Sequence, residues 1–187
     1  MKLSWRGFNE MASLITPLDW SDFIFTPKRV RIEDAWLEPK DELHITLISK
    51  RVGRILGEKI SLDPVLAARI AKNFEAINWG YEPAGPVHII SRLRKKTEDE
   101  QATLCHEKTI ILKLNMPGMT DFYEALKALD LISADTSTPP PHVTLYTLNC
   151  PTGISLASNK ILDDLSCRTL SIMEFDDLCQ CSPIPGP

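Results

Sequence analysis

The fold of this chain is decided by the stretch Glu42-Leu43-His44-Ile45-Thr46-Leu47-Ile48 and by its echo at Pro141-His142-Val143-Thr144-Leu145-Tyr146-Thr147. The two histidines are 142 − 44 = 98 positions apart. Each stretch alternates apolar with polar residues and is rich in β-branched side chains, which predicts an extended strand. Side chains of a strand point alternately to its two faces. Each predicted strand therefore presents one imidazole and one hydroxyl on the same face.

The repetition indicates a functional site more strongly than either copy does alone. A single histidine followed two positions later by threonine is usually an ordinary half-exposed pair on a strand. Of the four histidines in the chain, two have a β-branched residue next, then threonine and then leucine. His88 and His106 lack this pattern. We expect His106, in a polar stretch, to be inert, and whether His88 faces a cleft is left open.

This pair of H-x-T-L tetrapeptides resembles the 2H phosphoesterase superfamily, which takes its name from the duplicated motif. The superfamily includes bacterial RNA 2′,5′-ligase-like proteins and cyclic nucleotide phosphodiesterases. The resemblance extends in general pattern from about Arg29 to Leu170, and its specific part is confined to the two tetrapeptides. It implies an α+β fold of two pseudo-symmetric lobes, each an antiparallel sheet backed by helices, with a central cleft between them.

The resemblance also implies roles for the four polar motif residues. His44 and His142 would carry the acid and base roles, and which of them is the acid depends on the direction in which the substrate lies. Thr46 and Thr144 would hold the phosphate. Two imidazoles titrate near neutral pH and together can accept a proton from an attacking oxygen and donate one to a leaving oxygen. Such a pair needs no metal, and we expect no cofactor.

Length and composition limit the other possibilities. A chain of 187 residues with 43% hydrophobic content can bury a core, so we treat residues 1–187 as one bilobal domain. A net charge of −4 argues against a general nucleic-acid binder. Five cysteines without a disulfide-framework spacing indicate reduced thiols, and no apolar run has the length of a signal peptide or a membrane span. We expect a cytoplasmic protein outside the membrane, and a monomer.

The first half of the chain is predicted to contain strands, a covering helix and a linker. Pro39 presets a corner before the first motif strand. Asp63 is suited to cap a helix whose first residue is Pro64. In order, we expect a flap or edge over 1–28, a strand over 30–37 that forms a hairpin with the first motif strand, a helix over 63–77, and a linker over 79–86 that marks the boundary between the lobes.

The second half is predicted to repeat this combination around its own motif strand. The prolines at 139–141 stiffen the entry to that strand and should fix where His142 points. Beyond the two tetrapeptides no repeat is visible by residue identity, so the duplication is inferred from pattern alone. In order, we expect a strand over 87–94, a charged and disorder-prone tip over 95–108, a strand over 109–114, a helix from near Thr120, a helix capped by Ser158, a strand over 169–172 and a disordered tail over 182–187.

Three further residues are candidates for substrate binding. Lys50 and Arg51 lie in a basic stretch after the first motif strand, which is either an ordinary solvated loop or a grip on phosphate beside the first histidine. Tyr146 follows the second motif at strand spacing on the cleft face, where it either packs in the wall or contacts a base or a phosphate. The segment Cys179-Gln180-Cys181 lacks a second pair of ligands, which argues against a metal site there.

From these observations we expect a metal-independent phosphodiesterase that acts on a 2′,3′-cyclic phosphate or a related 2′-linked phosphodiester of nucleotides or RNA. Three alternatives remain: a 2H-like RNA- or nucleotide-binding module without turnover, a nuclease of cyclic or 2′,5′-linked signalling oligonucleotides, and a structural α/β protein whose repeats are a coincidence. Because both motifs are intact, catalysis is favoured over pure binding. Ligase activity, without a nucleotide-binding P-loop, would have to be an ATP-independent reversal of cleavage.

Overall fold

The computed structural model describes residues 4–5, 14–23, 28–98 and 101–181, which form an α+β fold with five helices and one antiparallel sheet. A short 3-10 turn covers Trp20–Asp22. The strands are β1 (Ser4–Trp5), β2 (Leu14–Leu18), β3 (Val30–Ile32), β4 (Ala35–Pro39), β5 (Leu43–Ile48), β6 (Glu82–Glu98), β7 (Gln101–Asn115), β8 (His142–Leu148) and β9 (Ser166–Leu170). The helices are α1 (Lys50–Leu62), α2 (Val65–Ala76), α3 (Pro117–Ala128), α4 (Asn159–Leu165) and α5 (Ile172–Cys181).

The motif strands, which are β5 and β8, lie next to each other at the centre of the sheet. The strand order is β1-β2-β5-β8-β7-β6-β9, and the β3–β4 hairpin joins this order where β4 pairs with β8. Both motif stretches are therefore strands, as their alternation predicts. Strands from the two halves of the chain share one sheet, and β8 joins them by pairing with both β5 and β4.

One face of the sheet carries the main hydrophobic core. Ile45 and Val143, at the centre of the two motif strands, have no exposed surface. Phe122 of α3 and Phe175 of α5 are equally buried in the same cluster, together with residues of α1 and α2. Full burial of a large apolar side chain stabilises the fold by roughly 1.5–3 kcal/mol. These helices cover this face, so the polar motif residues are directed to the opposite one.

A second, smaller core lies on the opposite face, toward the β6 side of the sheet. Ile90 of β6 and Ile111 of β7 are fully buried there against residues of the 150–156 segment and against Leu162 of α4. The polar residues of the motifs, by contrast, are only half-buried. The motif part of this face therefore forms an accessible floor beside the smaller core.

The stretch expected as one strand over 30–37 is two strands, and the hairpin expected between it and the first motif strand is wrong. Glu33 has a φ of 55°, a left-handed conformation that lets the chain turn back after β3. β4 then pairs with β3 on one side and with the end of β8, at Thr147, on the other. The neighbours of β5 are β2 and β8 instead.

The charged tip expected over 95–108 is also wrong, because β6 and β7 pair along this segment as a long two-stranded ribbon. Glu107 is 1% exposed and accepts a hydrogen bond from Arg92 Nε at 2.7 Å, while a guanidinium nitrogen of Arg94 lies 3.6 Å from its carboxylate. Opposite charges paired across strands stabilise a sheet. The charges that suggested a disordered tip thus hold the ribbon together.

β2 and α5 are among the elements that the sequence pattern does not predict. β2 lies within the region expected to be a flap or edge, and it pairs with β5 along its length. α5 follows β9, where the expected strand over 169–172 is displaced to 166–170. Ser171 Oγ accepts a hydrogen bond from Glu174 N at 3.1 Å, and the Glu174 carboxylate accepts one from Ser171 N at 2.7 Å. This reciprocal pair is a capping box, which starts a helix.

The other helices lie close to their predicted positions. α2 confirms the helix over 63–77, and α4 is capped by Ser158, whose Oγ accepts a hydrogen bond from Ile161 N at 3.2 Å. α3 begins at Pro117 rather than near Thr120. From Glu82 onward the expected linker is strand β6, and the lobe boundary there stays a prediction. The tail over 182–187 lies outside the described residues.

Candidate functional site

The register between the motif strands brings their polar residues together. β5 and β8 pair antiparallel at Ile45 and Val143, whose side chains point into the main core. The residues on either side of a matched pair also face each other, and they point to the other face of the sheet. We call the surface formed in this way the groove, and its floor consists of the four predicted catalytic residues, His44, Thr46, His142 and Thr144.

The same register sets the relative positions of these side chains. When the antiparallel register at Ile45 and Val143 is extended by one residue in each direction, His44 falls opposite Thr144 and Thr46 opposite His142. Each imidazole then has the hydroxyl of the other motif as its cross-strand neighbour. Direct neighbours across an antiparallel pair have Cβ atoms about 4.5–5.5 Å apart, and diagonal neighbours are about 7–8 Å apart. The two imidazoles therefore occupy diagonal corners of the four-residue floor.

His142 is oriented by the proline segment that precedes it. Its Nδ1 lies 2.7 Å from the carbonyl oxygen of Pro140. A carbonyl oxygen can only accept, so Nδ1 carries the hydrogen and Nε2 is the proton acceptor of the neutral ring. Burial lowers the pKa of His142 below its ordinary value of 6.5, the bond to Pro140 partly opposes this, and His44 lowers it further. His142 is thus mainly neutral at neutral pH.

The two threonines are placed to donate hydrogen bonds to a ligand. Thr46 and Thr144 are half-buried, and within the described part of the chain neither hydroxyl has a hydrogen-bond partner. A hydroxyl both donates and accepts, and its hydrogen rotates to suit the partner. An oxyanion between the imidazoles would therefore meet one hydroxyl from each motif.

The turn after β8 forms one wall of the groove. Gly153 has a φ of +77°, and a Cβ placed on it would lie 3.1 Å from Oγ1 of Thr144. Glycine alone satisfies both the conformation and this close approach. The turn is closed by a hydrogen bond of 2.7 Å from Gly153 N to Cys150 O, and Lys40 Nζ donates to Pro151 O at 2.6 Å. The backbone of the turn is thereby held against the second motif threonine.

Tyr146 does not lie on the groove face, which corrects the expectation from strand alternation. The pairing of β8 with β7 shifts between Thr144 and Tyr146, so Leu145 forms a bulge. The extra residue turns Tyr146 into the main core, where it has no exposed surface. Its ring contacts the rings of Trp20 and Phe175 edge to face, at centroid distances of 5.6 and 5.9 Å. Its position supports packing rather than contact with a base.

The basic stretch after the first motif strand begins a helix, which corrects the expected loop. Ser49 caps α1, and its Oγ lies 3.4 Å from Val52 N. Lys50 and Arg51 are exposed in the first turn, whereas Val52 and Gly53 are buried against the core. The two predicted phosphate-binding cations are therefore exposed at the start of a helix that packs on the main core, and they are not part of the floor of the groove.

A cation that the sequence analysis does not single out lies on the groove face. Lys113 of β7 is half-buried and pairs directly with His142 of β8. Residues paired across neighbouring strands share a face, so Lys113 extends the floor on the side of the second motif. The signal that could have found it is alternation, because Lys113 is the polar residue between buried Leu112 and Leu114.

His88 is also on this face, which answers the question that the sequence left open. It pairs with Ile111 of β7, which in turn pairs with Thr144. Its Nδ1 lies 3.0 Å from Oγ of Ser166, and its buried Nε2 has no hydrogen-bond partner in the described structure. Burial lowers the pKa of His88, and the charge of Lys113 lowers it further. His88 thus adds a neutral ring to the floor and not a charge.

Among the described residues, no three His, Cys, Asp or Glu side chains converge as ligands for a metal ion, and no helix is both long and apolar enough to cross a membrane. Comparison of the chain with protein-family models, with curated proteins and with solved structures found no match. The assignment of a function therefore depends on the geometry of the groove.

Proposed function

We propose that this chain is a metal-independent phosphodiesterase of the 2H type, acting on 2′,3′-cyclic phosphates or related 2′-linked phosphodiesters of nucleotides or RNA. The observation that carries the proposal is the pairing of β5 with β8 at Ile45 and Val143. It places two histidines that are 142 − 44 = 98 positions apart on one face, each beside the threonine of the other motif. If the two tetrapeptides were alike only by coincidence, we would not expect them to lie on neighbouring strands with their central residues paired.

The geometry of His142 supports its assignment as the general base. Nε2 of the neutral ring would accept a proton from a water molecule as the water oxygen bonds to phosphorus. His44, protonated at the start, would donate a proton to the ribose oxygen as its bond to phosphorus breaks. His142 ends protonated and His44 neutral, and exchange with solvent restores both. In such a reaction the water attacks phosphorus on the side opposite to the leaving ribose oxygen. The diagonal arrangement of His44 and His142 would place one imidazole on each of these two sides.

The threonines would stabilise the phosphate during this reaction. Attack on phosphorus increases the negative charge on the non-bridging oxygens, and donors already aimed at those oxygens lower the barrier. Thr46 and Thr144 are the available hydroxyls on the floor, and the turn at Gly153 holds the second of them in place. Lys50 and Arg51, exposed in the first turn of α1, would add attraction for a charged substrate over a longer range.

We also propose that the chain has the two-lobed arrangement of the 2H fold. One lobe would comprise β2 and β5 with α1 and α2, and the other β6 to β9 with α3 and α4, with their boundary in 79–86. The groove at the contact of β5 with β8 would then be the central cleft. A net charge of −4 suits a substrate held locally in this cleft, and we expect a cytoplasmic monomer that needs no cofactor.

A substrate panel tests the proposal. The panel comprises 2′,3′-cyclic mononucleotides, RNA ending in a cyclic phosphate, 2′,5′-oligoadenylate and ADP-ribose cyclic phosphate, each with and without EDTA. We expect hydrolysis of at least one substrate that resists EDTA, is lost in His44→Ala and His142→Ala, and is kept in the exposed control His106→Ala. Loss of activity with EDTA would contradict the metal-free mechanism. Binding without turnover that survives both groove variants would favour a binding module.

A further inference from the structure

Lys113 points to the groove face because of its place in β7. It pairs with His142, and the same register continues as Leu114 N donates to Pro141 O at 2.9 Å. Leu112 and Leu114 are 1% and 2% exposed in the main core. Alternation along a strand then directs the side chain between them to the other face. The flexible four-carbon side chain of Lys113 thus starts beside the proposed base on the groove face, and the charge at its end acts on His88.

Lys113 differs from Lys108 and Arg92, which are also withdrawn from solvent, because within the described residues it has no carboxylate partner. Lys108, on the same strand, is 6% exposed and forms an ion pair with Glu33. Arg92, on β6, forms one with Glu107. Within residues 28–98 and 101–181 and the two shorter described segments, no carboxylate lies within ion-pair distance of Lys113, although its side chain is half-buried. Removing a charge from water without a partner costs free energy, which an anionic ligand would offset.

The groups around Lys113 leave it as the permanent charge of the floor. The titratable groups that face it are His142, whose neighbour is His44, and His88, on which Asp163 also acts. The lowered pKa values of His142 and His88 make both rings mainly neutral at neutral pH. A phosphate in the groove would therefore meet hydroxyls, the neutral ring of His142 and a His44 that gives up its proton during the reaction. Lys113 is the group on the floor whose positive charge persists throughout.

We propose that Lys113 binds a non-bridging oxygen of the phosphate held between His44 and His142 and supplies the positive charge for its reaction. The inference rests on the proposed function and adds the residue that makes the site selective for an anion. A cyclic phosphodiester carries one negative charge, and the monoester product carries about 1.5 to 2 at neutral pH. A fixed ammonium favours the more highly charged species along the reaction. Lys113 should therefore affect kcat more than KM.

Three variants separate the charge of Lys113 from its bulk. Lys113→Met keeps the apolar stem and removes the charge, Lys113→Arg keeps the charge, and Lys72→Met removes an exposed lysine of α2 as a control. Lys113→Gln replaces the first variant if that one does not fold, which thermal unfolding checks. For each, kcat and KM are measured on a 2′,3′-cyclic mononucleotide, and the Kd of inorganic phosphate is measured by calorimetry.

We expect Lys113→Met to lower kcat by about 10²-fold and to weaken phosphate binding by about tenfold, with a smaller change in KM. Lys113→Arg should recover most of both, and Lys72→Met should match the wild type. NMR titration of the His88 ring is a readout that a merely structural role would not move. The charge of Lys113 lowers the pKa of His88, so Lys113→Met should raise that pKa and Lys113→Arg should leave it low.

The result that would overturn the inference is a Lys113→Met variant that hydrolyses substrate and binds phosphate as Lys72→Met does. That outcome leaves the proposed function intact. A second outcome is that the wild type hydrolyses no substrate while phosphate binding is lost in Lys113→Met and kept in Lys113→Arg. That result would support Lys113 as a phosphate-binding residue and contradict the proposed phosphodiesterase activity. If the wild type hydrolyses nothing and phosphate binding does not depend on Lys113, both are contradicted.

Discussion

The two copies of the motif share residue types but differ in their surroundings. The second copy has Pro140 fixing its imidazole, Gly153 against its threonine and Lys113 on the neighbouring strand. The first copy is flanked on β2 by apolar neighbours, where Ile15 pairs with Thr46 and Pro17 with His44. A shared H-x-T-L pattern therefore does not imply identical roles. We propose that the second copy supplies the general base, His142, with the positive charge of Lys113 on the strand beside it. The first copy would supply the general acid, His44.

The largest expected effect comes from removing the imidazoles singly and together. His44→Ala and His142→Ala should each lower kcat/KM by about 10²–10⁴-fold on a 2′,3′-cyclic substrate. The double variant should lose little more than the worse single variant, because the two groups act as one unit. Steady-state kinetics of the three variants measures this. If the fold-decrease in kcat/KM of the double variant equals the product of the two single decreases, the two histidines do not act in one reaction step.

A smaller effect is expected from Gly153, which has no counterpart beside the first threonine among the glycines that the structure describes. Gly153→Ala forces an alanine into a left-handed conformation with its Cβ pressed on Thr144 Oγ1. We expect a loss of stability of about 1–3 kcal/mol and a roughly tenfold lower kcat/KM. Denaturant unfolding and kinetics measure the two effects. Gly80→Ala, whose Cβ would meet only the side chain of Asn78, is the matched control. Full activity in Gly153→Ala would remove this turn from the site.

The difference between the histidines also predicts a pH dependence. Because the pKa of His142 is lowered, activity that needs its neutral form should fall only as the pH drops through a value below 6.5. His44 is one cause of the lowering, so His44→Gln should raise the pKa of His142. NMR titration of the His142 ring in both proteins measures this, with exposed His106 as an internal reference. A lower pKa in His44→Gln would contradict the proximity of the two rings.

The smallest effect is expected at Tyr146, where the copies differ in sequence. Tyr146→Phe keeps the ring between Trp20 and Phe175 and removes a hydroxyl 4.0 Å from Cys179 Sγ. We expect kcat/KM to stay within about twofold and the free energy of unfolding to fall by about 1 kcal/mol. Kinetics and thermal unfolding measure this. A large rise in KM would show that the hydroxyl contacts substrate after all.

Local patterns account for the part of the fold that the sequence predicts. Alternation in the motif strands places His44 and His142 on polar faces, because the direction of a strand side chain depends on its own strand. Capping signals are equally local: Ser158 predicts the start of α4, and Ser49 and Ser171 would have predicted the starts of α1 and α5.

Long-range register accounts for the rest. The bulge at Leu145, which turns Tyr146 into the core, depends on the pairing of β8 with β7 and leaves no mark on the alternation of β8 itself. The neighbours of β4 depend on a turn at Glu33, a residue type that seldom adopts a left-handed conformation. The place of Lys113 beside His142 likewise follows from pairing between strands that are separated by a helix and a proline segment.

The most direct test of the account is whether one phosphate engages both motifs. The wild-type protein is titrated with a nucleoside 2′-monophosphate while the ring resonances of His44, His142 and His106 are followed by NMR. We predict that His44 and His142 shift together with a single Kd and that His106 does not move. A response of one groove histidine without the other, or two different Kd values, would contradict the claim that the two motifs form one site.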